Sequence, residues 1–261
     1  MSTYFISDLH LDPLQPAVLD ALQCFLHSIV DDADSLYVLG DLFEMWIGDD
    51  DDDPFMAHCC AALKAFSDHH PLFVLHGNRD FLMGAGFSER SGAQLLPDPH
   101  VIDLHGRRAM VMHGDSLCID DAAYTQLRQQ LRSAVWQRDV LARPLAERRS
   151  FGASLRAQSR AANANKAAAI MDVNEQQFAL HCELHAVDLL IHGHTHRPGT
   201  HRYDAAGSRT RIVLGDWHPE GTVLQVTSAS EFRLLSTHEF AAAAGAARAT
   251  GTVSNQSGRP E

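Results

Sequence analysis

Short apolar runs alternate with longer stretches of helical apolar period over the first 75 residues. TYFIS (3–7), SLYVL (35–39) and PLFVL (71–75) read as buried strands, and about Pro16 to Val30 and about Pro54 to Ser67 read as helices. This order predicts βαβ units and a largely parallel sheet. HVIDL (100–104), RAMVM (108–112), VDLLI (187–191), RIVLG (211–215), GTVLQV (221–226) and EFRLLS (231–236) follow with little helix between them, except across 120–170. The later runs predict a second, antiparallel sheet, and the helical composition of 120–170 predicts an inserted cap. From Ala241 the residues are small and polar without an apolar period, which predicts a disordered tail over 241–261.

Composition narrows the class only slightly. A chain of 261 residues with 45% apolar and 7% aromatic content is an ordinary globular protein that can bury a substantial core. No stretch approaches the ~20 apolar residues of a membrane span. The start MSTYFISDLHLD lacks a signal peptide's basic opening, so a cytoplasmic protein is expected, with surface attachment left open. Five cysteines without a CxxC spacing suggest neither disulfides nor a cysteine zinc site, and buried free thiols are expected.

Charge and histidine point toward chemistry. Residues 121–170 hold nine basic against three acidic residues, a local +6 in a chain of net −12. Such an island marks where an anion or anionic surface is met, and nothing in so acidic a chain points to nucleic acid. The 17 histidines fall repeatedly at strand ends beside Asp and Gly. TYFIS runs into Asp8-Leu9-His10, SLYVL into Gly40-Asp41, PLFVL into Gly77-Asn78-Arg79-Asp80, RAMVM into His113-Gly114-Asp115, and VDLLI into His192-Gly193-His194-Thr195-His196. Side chains two apart on extended backbone point the same way, so Asp8 with His10, and His194 with His196, can converge. A lone DxH, HxH, GD or GN is commonly a turn. Five in order, each after an apolar strand, predict a site for two divalent ions, because carboxylate, imidazole and amide oxygen suit Mn²⁺, Fe²⁺ or Zn²⁺ and seven such groups exceed one ion's need.

The ordered set D-x-H, GD, GN, H and GHTH, over about residues 3–215, resembles the calcineurin-like metallophosphoesterases. The resemblance implies an α/β fold of two packed mixed β-sheets flanked by helices. It assigns Asp8, His10, Asp41 and His196 to one metal and Asp41, Asn78, His113 and His194 to the other, with Asp41 bridging and manganese the leading candidate. SDLHL (7–11), GDLFEMWIGDDD (40–51), HGNRDFL (76–82) and HGHTHRP (192–198) are similar to the branch of that family acting on UDP-2,3-diacylglucosamine in lipid A synthesis. That similarity implies release of UMP and a diacylglucosamine 1-phosphate, through attack of metal-activated water on the α phosphorus. It also implies substrate contacts by Asn78, Arg79, Asp121, Tyr124, Ser159, Asn163, Lys166 and His194, a cap over an acyl-chain groove, and attachment to the inner-membrane surface. A monomer is compatible with all of this.

Position 79 departs from the wider family, which usually places a proton-donating histidine there. A guanidinium cannot shuttle a proton near neutral pH. An alkoxide leaving group would need an acid, but a phosphate, with a second pKa of about 6, departs without one. Two adjacent phosphates need charge neutralisation, which a guanidinium supplies bidentately. Arg79 therefore predicts pyrophosphate cleavage and joins Asp41 and Asn78 as a catalytic candidate. In the cap, Leu127, Leu131, Val135, Trp136, Leu141, Leu145, Phe151 and Leu155 form a helical stripe, read either as packing or, with the basic island, as a surface for a lipid with an anionic head. The acidic run 49–53 reads as a solvated loop entering a helix. The alternatives are another dinuclear nucleotide pyrophosphatase or phosphodiesterase of this fold, and a non-catalytic scaffold.

Overall fold

Alternation along β1 (Ser2–Ile6) creates two layers: Tyr4 and Ile6 face a helical layer, while Phe5 faces a second sheet. The computed structural model describes residues 1–163, 172–203 and 208–242. In it, β1 is flanked by the parallel β2 (Ala33–Val38), beyond which lie β3 (Leu72–Leu75) and β4 (Gln94–Leu96), also parallel. The other sheet holds β5 (His100–Leu104), β6 (Arg107–Val111), β7 (Leu189–His192), β8 (Gly199–Tyr203) and β9 (Arg209–Val213), in the order β5-β6-β7-β9-β8. Back in the first sheet, β10 (Thr222–Ser228) pairs antiparallel with β1, and β11 (Glu231–Ser236) with β10.

This corrects the expected antiparallel second sheet. It is mixed, with β6, β7 and β9 parallel and only the outer pairs antiparallel. The long helical excursion between β6 and β7 allows the chain to return in the same direction, which a hairpin could not do. The runs at 221–226 and 231–236 belong to the first sheet.

Phe5, Leu39, Leu75, Val111, Leu189 and Ile191 meet between the sheets. The outer face of the first sheet is covered by α1 (Pro16–Ile29), α2 (Pro54–Ser67) and α3 (Ala85–Ser91). Leu22 and Ile29 of α1 are fully buried there, and truncating either to Ala should cost about 2–5 kcal/mol. On the outer face of the second sheet, Phe178 and Cys182 of α7 (Glu175–His185) pack on Met110, Met112 and Leu190.

Between β6 and α7 the chain forms α4 (Ala122–Leu131), α5 (Ala134–Leu141) and α6 (Leu145–Asn163). No residue of α4 is buried, and Val140 is the only buried residue of α5, so polar anchors hold these helices. Arg148 donates to Ile47 O at 2.7 Å and to Asp50, and Arg149 binds Asp51 and Asp52. The acidic run is thus a clamp for α6 as well as a helix entry, where Asp53 accepts from Phe55 N and caps α2. Cys24 is exposed, against expectation, because it lies beside the buried stripe of α1; the other four thiols are buried. Helix over 237–242 places Phe240 against Tyr4 and Phe25 and includes Ala241 and Ala242, while 243–261 lie outside the described residues. Among the described residues no helix is long and apolar enough to cross a membrane.

Candidate metal centre

The parallel strands β1, β2 and β3 of one sheet and β6 and β7 of the other deliver their C-terminal ends to one edge, where a cleft forms in open α/β folds. The loops at that edge brace each other. Asp8 N donates to Gly40 O at 3.1 Å, His10 N to Asp41 O at 3.0 Å, and Gly193 N to His113 O at 3.0 Å. Asp8, His10, Asp41, His194 and His196 all have φ between 49° and 67°, a left-handed conformation that β-carbons oppose. Such strain concentrates at functional sites, and here it turns five side chains inward off strand ends. Gly77 and Gly193 permit the closest approaches, because a β-carbon on the first would meet Asp41 and one on the second would meet Asp8 and Ser7.

All seven residues expected as ligands come together. On one side His10 Nε2 lies 3.3 Å from His196 Nε2, which is itself 3.3 Å from Asp8 Oδ1. On the other, Asn78 Oδ1 lies 3.0 Å from His113 Nε2 and 2.9 Å from His194 Nδ1. Asp41 stands between, with Oδ2 3.9 Å from His10 Nδ1 and Oδ1 3.8 Å from His113 Nε2. Two tight groups of candidate ligand atoms, Asp8-His10-His196 and Asp8-Asp41-His113, share Asp8, whereas the motif gives the bridging place to Asp41. Arg79 also engages Asp41, with its Nε 3.1 Å from Oδ2 and its backbone N donating to Oδ1 at 2.9 Å.

The donor set fits divalent cations. Asp8 Oδ1 and His10 Nδ1 are buried with no hydrogen-bond partner, and such orphaned groups are costly. His113 Nδ1 donates to Leu39 O at 2.9 Å, which points Nε2 at Asn78 Oδ1, an oxygen that can only accept. Electrostatics divide the set: burial would lower His113, but the carboxylates of Asp41, Asp8 and Asp115 raise it above its ordinary value. Burial, then the Arg79 charge, pushes His10 down to about 2, and burial with His113 brings His194 down to about 4, so both are neutral and ready to ligate at pH 7. Burial raises the Asp41 carboxyl despite the pull of His113 and Arg79. Asp8 is held below the carboxylate range, for its burial is outweighed by His196 and His113. Burial would lower His196, but its pairing with Asp216 and Asp8 pushes it up to about 10.

The expected substrate residues surround this centre. A polar cavity is lined by Asp41, Asn78, Arg79, Asp121, Tyr124, Ser159 and His194. Tyr124 lies near-parallel to His194 at 6.0 Å and donates to Asp115 Oδ2 at 2.7 Å, while Asp121 accepts from Tyr124 N and starts α4. Lys166 and the side chain of Asn163 lie outside the described residues. A second, apolar cavity runs between residues 45–47 and Leu127, Leu131, Trp136, Phe151 and Leu155, and the two cavities share Asn78, Arg79 and Ser159. Val135 and Leu141, predicted for the same stripe, are instead solvent-exposed.

Sequence reasoning missed Glu44, Arg156 and Asp115. Glu44 binds both Arg79 and Arg156, and buried Asp115 anchors Tyr124 and Arg128. Glu44 stands inside the 40–51 stretch already noted, which was the available signal; its partner on α6 is 112 residues away.

Residues 1–198 match the calcineurin-like phosphoesterase family. The chain is 48% identical over 229 residues to a UDP-2,3-diacylglucosamine hydrolase of Salmonella typhi, covering 87% of this chain and 95% of that protein. It is 47% identical over 230 residues to one of Escherichia coli O81, covering 87% and 96%. Among solved structures, a dimetal phosphatase from Danio rerio aligns over 90% of this chain and 95% of its own, with a TM-score of 0.51 at 12% identity. Strand ends that gather carboxylate, imidazole and amide oxygen around a cleft, on two mixed sheets, place the chain in the calcineurin-like phosphoesterase family, whose members use paired divalent metals.

Proposed function

We propose that this chain hydrolyses the pyrophosphate bond of UDP-2,3-diacylglucosamine to UMP and 2,3-diacylglucosamine 1-phosphate, a step of lipid A biosynthesis. The observation that carries this reading is the meeting of the two cavities at Asn78, Arg79 and Ser159, one polar and above the ligand cluster, the other apolar and roofed by α4–α6. A nucleotide diphosphate joined to a diacylated sugar needs both at one junction.

Asp8, His10, Asp41 and His196 would hold one ion and Asp41, Asn78, His113 and His194 the other, with Asp41 bridging; the mixed oxygen and nitrogen donors suit Mn²⁺, Fe²⁺ or Zn²⁺, and the family resemblance makes manganese the leading candidate. When bound, such a pair supplies an activated water and neutralises phosphoryl oxygens. The protein's own groups do the rest. Arg79 pairs with the two phosphates and offsets the charge that develops as the sugar phosphate leaves, a departure that needs no proton. Asn78 and His194 hold the α phosphate toward the ions, and Asp121, Tyr124, Ser159, Asn163 and Lys166 orient the substrate. The fold over 1–240, interrupted by a cap at about 120–170, works at the cytoplasmic face of the inner membrane. Exposed Val135 and Leu141 on α5 are suited to a bilayer surface.

Metal-loaded protein should release UMP from UDP-diacylglucosamine in mixed micelles far faster than it cleaves UDP-glucose. Equal rates on the two would favour a soluble-nucleotide pyrophosphatase.

A further inference from the structure

Glu44, in the loop after β2, collects cations from both halves of the site. Its backbone N donates to Leu11 O at 3.1 Å, which fixes its place beside the ligand loop. Oε2 binds Arg79 Nη1 and lies 3.7 Å from His10 Nδ1; Oε1 accepts from Arg156 Nε at 2.8 Å and also binds Arg156 Nη2, with Arg160 Nη1 4.0 Å away. Arg79 and Arg156 are 20% and 13% exposed, so the pair sits where their mutual repulsion is poorly screened. Burial, then Arg79, accordingly lowers the Arg156 guanidinium below its ordinary value.

Glu44 is shared between the two guanidiniums, Arg79 Nε lies 3.1 Å from Asp41 Oδ2 as well, and both arginines line the apolar cavity at its junction with the polar one. We propose that Glu44 is a positioning residue that draws Arg79 from the metal-bearing loop and Arg156 from α6 together, making a paired-guanidinium fork aimed at a diphosphate. Among the described residues, Arg79 Nη2 and Arg156 Nη1 have no recorded partner, so each guanidinium keeps a donor for the ligand. The inference deepens the pyrophosphate reading above and rests on it for the natural ligand.

The test uses UDP, a soluble diphosphate, as a competitive inhibitor of bis(p-nitrophenyl) phosphate hydrolysis with metal in excess. Glu44→Gln keeps the shape and removes the charge. It should raise the UDP inhibition constant about 10-fold or more, the scale of a misplaced binding group, with full metal content and a smaller loss on the single-phosphate diester. In an Arg156→Ala background the same substitution should cost less than half as much on a logarithmic scale, because its partner is gone. If Glu44→Gln does not fold, Glu44→Asp, which keeps the charge but withdraws it by one methylene, should raise the constant by a smaller factor and show the same non-additivity. An unchanged constant, full additivity, or equal losses on UDP and the diester would overturn the proposal. A raised constant in a protein whose wild type leaves UDP-diacylglucosamine intact would reject the lipid substrate and keep the clasp.

Discussion

Arg79→Ala probes the reading of the arginine most sharply, because the structure separates what it removes from what it leaves. The substitution deletes a guanidinium 3.1 Å from Asp41 Oδ2 and bound to Glu44. It leaves the backbone bond from residue 79 N to Asp41 Oδ1, 2.9 Å, and the bonds from Gly77, Leu42 and Phe43 to Asp80 that hold the loop. Asp41 therefore stays in place, and losing a nearby cation cannot weaken metal binding. What is lost is one charge-assisted donor to the phosphates, about 10² in kcat/KM or roughly 2.7 kcal/mol of transition-state stabilisation. The assay is steady-state UMP release in mixed micelles, paired with metal analysis of the same preparations. Arg79→Lys should recover only part of the loss, since a point charge lacks the planar fork. Arg79→His should not rescue the pyrophosphate substrate, whose phosphate leaving group needs no proton. Full activity of Arg79→His, with a new descending limb above the imidazole pKa, would show that position 79 donates a proton and refute the reasoning.

Asp41→Ala should abolish activity and lower bound metal, whereas Asp51→Ala, which loses bonds to Arg149 and to Asp53 N, should do neither; equal effects would sink the bridging assignment. His196, raised from 6.5 to about 10, contributes stability to metal-free protein that is complete below pH 6.5 and lost as pH climbs through 10. Ligation must expel that proton, so metal titration at pH 8 in buffers of different ionisation enthalpy should show about one proton released at this position, and none would contradict its role as a ligand. Lys166→Ala should raise KM for the lipid substrate markedly while a small aryl phosphodiester suffers much less; equal losses would remove the cap from recognition.

The ligands were legible because each follows a strand that advertises itself. TYFIS, SLYVL and PLFVL are apolar enough to fix their own ends, and the polar residue after each then has one place to go. The left-handed backbone at Asp8, His10 and Asp41 was not legible, since it arises from loops bracing one another across the sheet edge. β8 was missed because its three central residues are exposed and its sequence, GTHRY, shows no buried face. The second sheet was misread as antiparallel because close spacing of strands suggests hairpins, whereas β6 and β7 pair in parallel across the helical insertion. The roles of Glu44 and of Asp50, Asp51 and Asp52 were not legible for one reason: they lie in arginines about 100 residues away on α6.

The central claim is hydrolysis at the α phosphorus of UDP-diacylglucosamine, and phosphorus NMR in ¹⁸O-enriched water tests it most directly. With metal-loaded wild-type protein, the isotope-shifted resonance should belong to UMP, and the diacylglucosamine 1-phosphate should stay unlabelled. Label on the sugar phosphate would place attack on the other phosphorus and contradict the account.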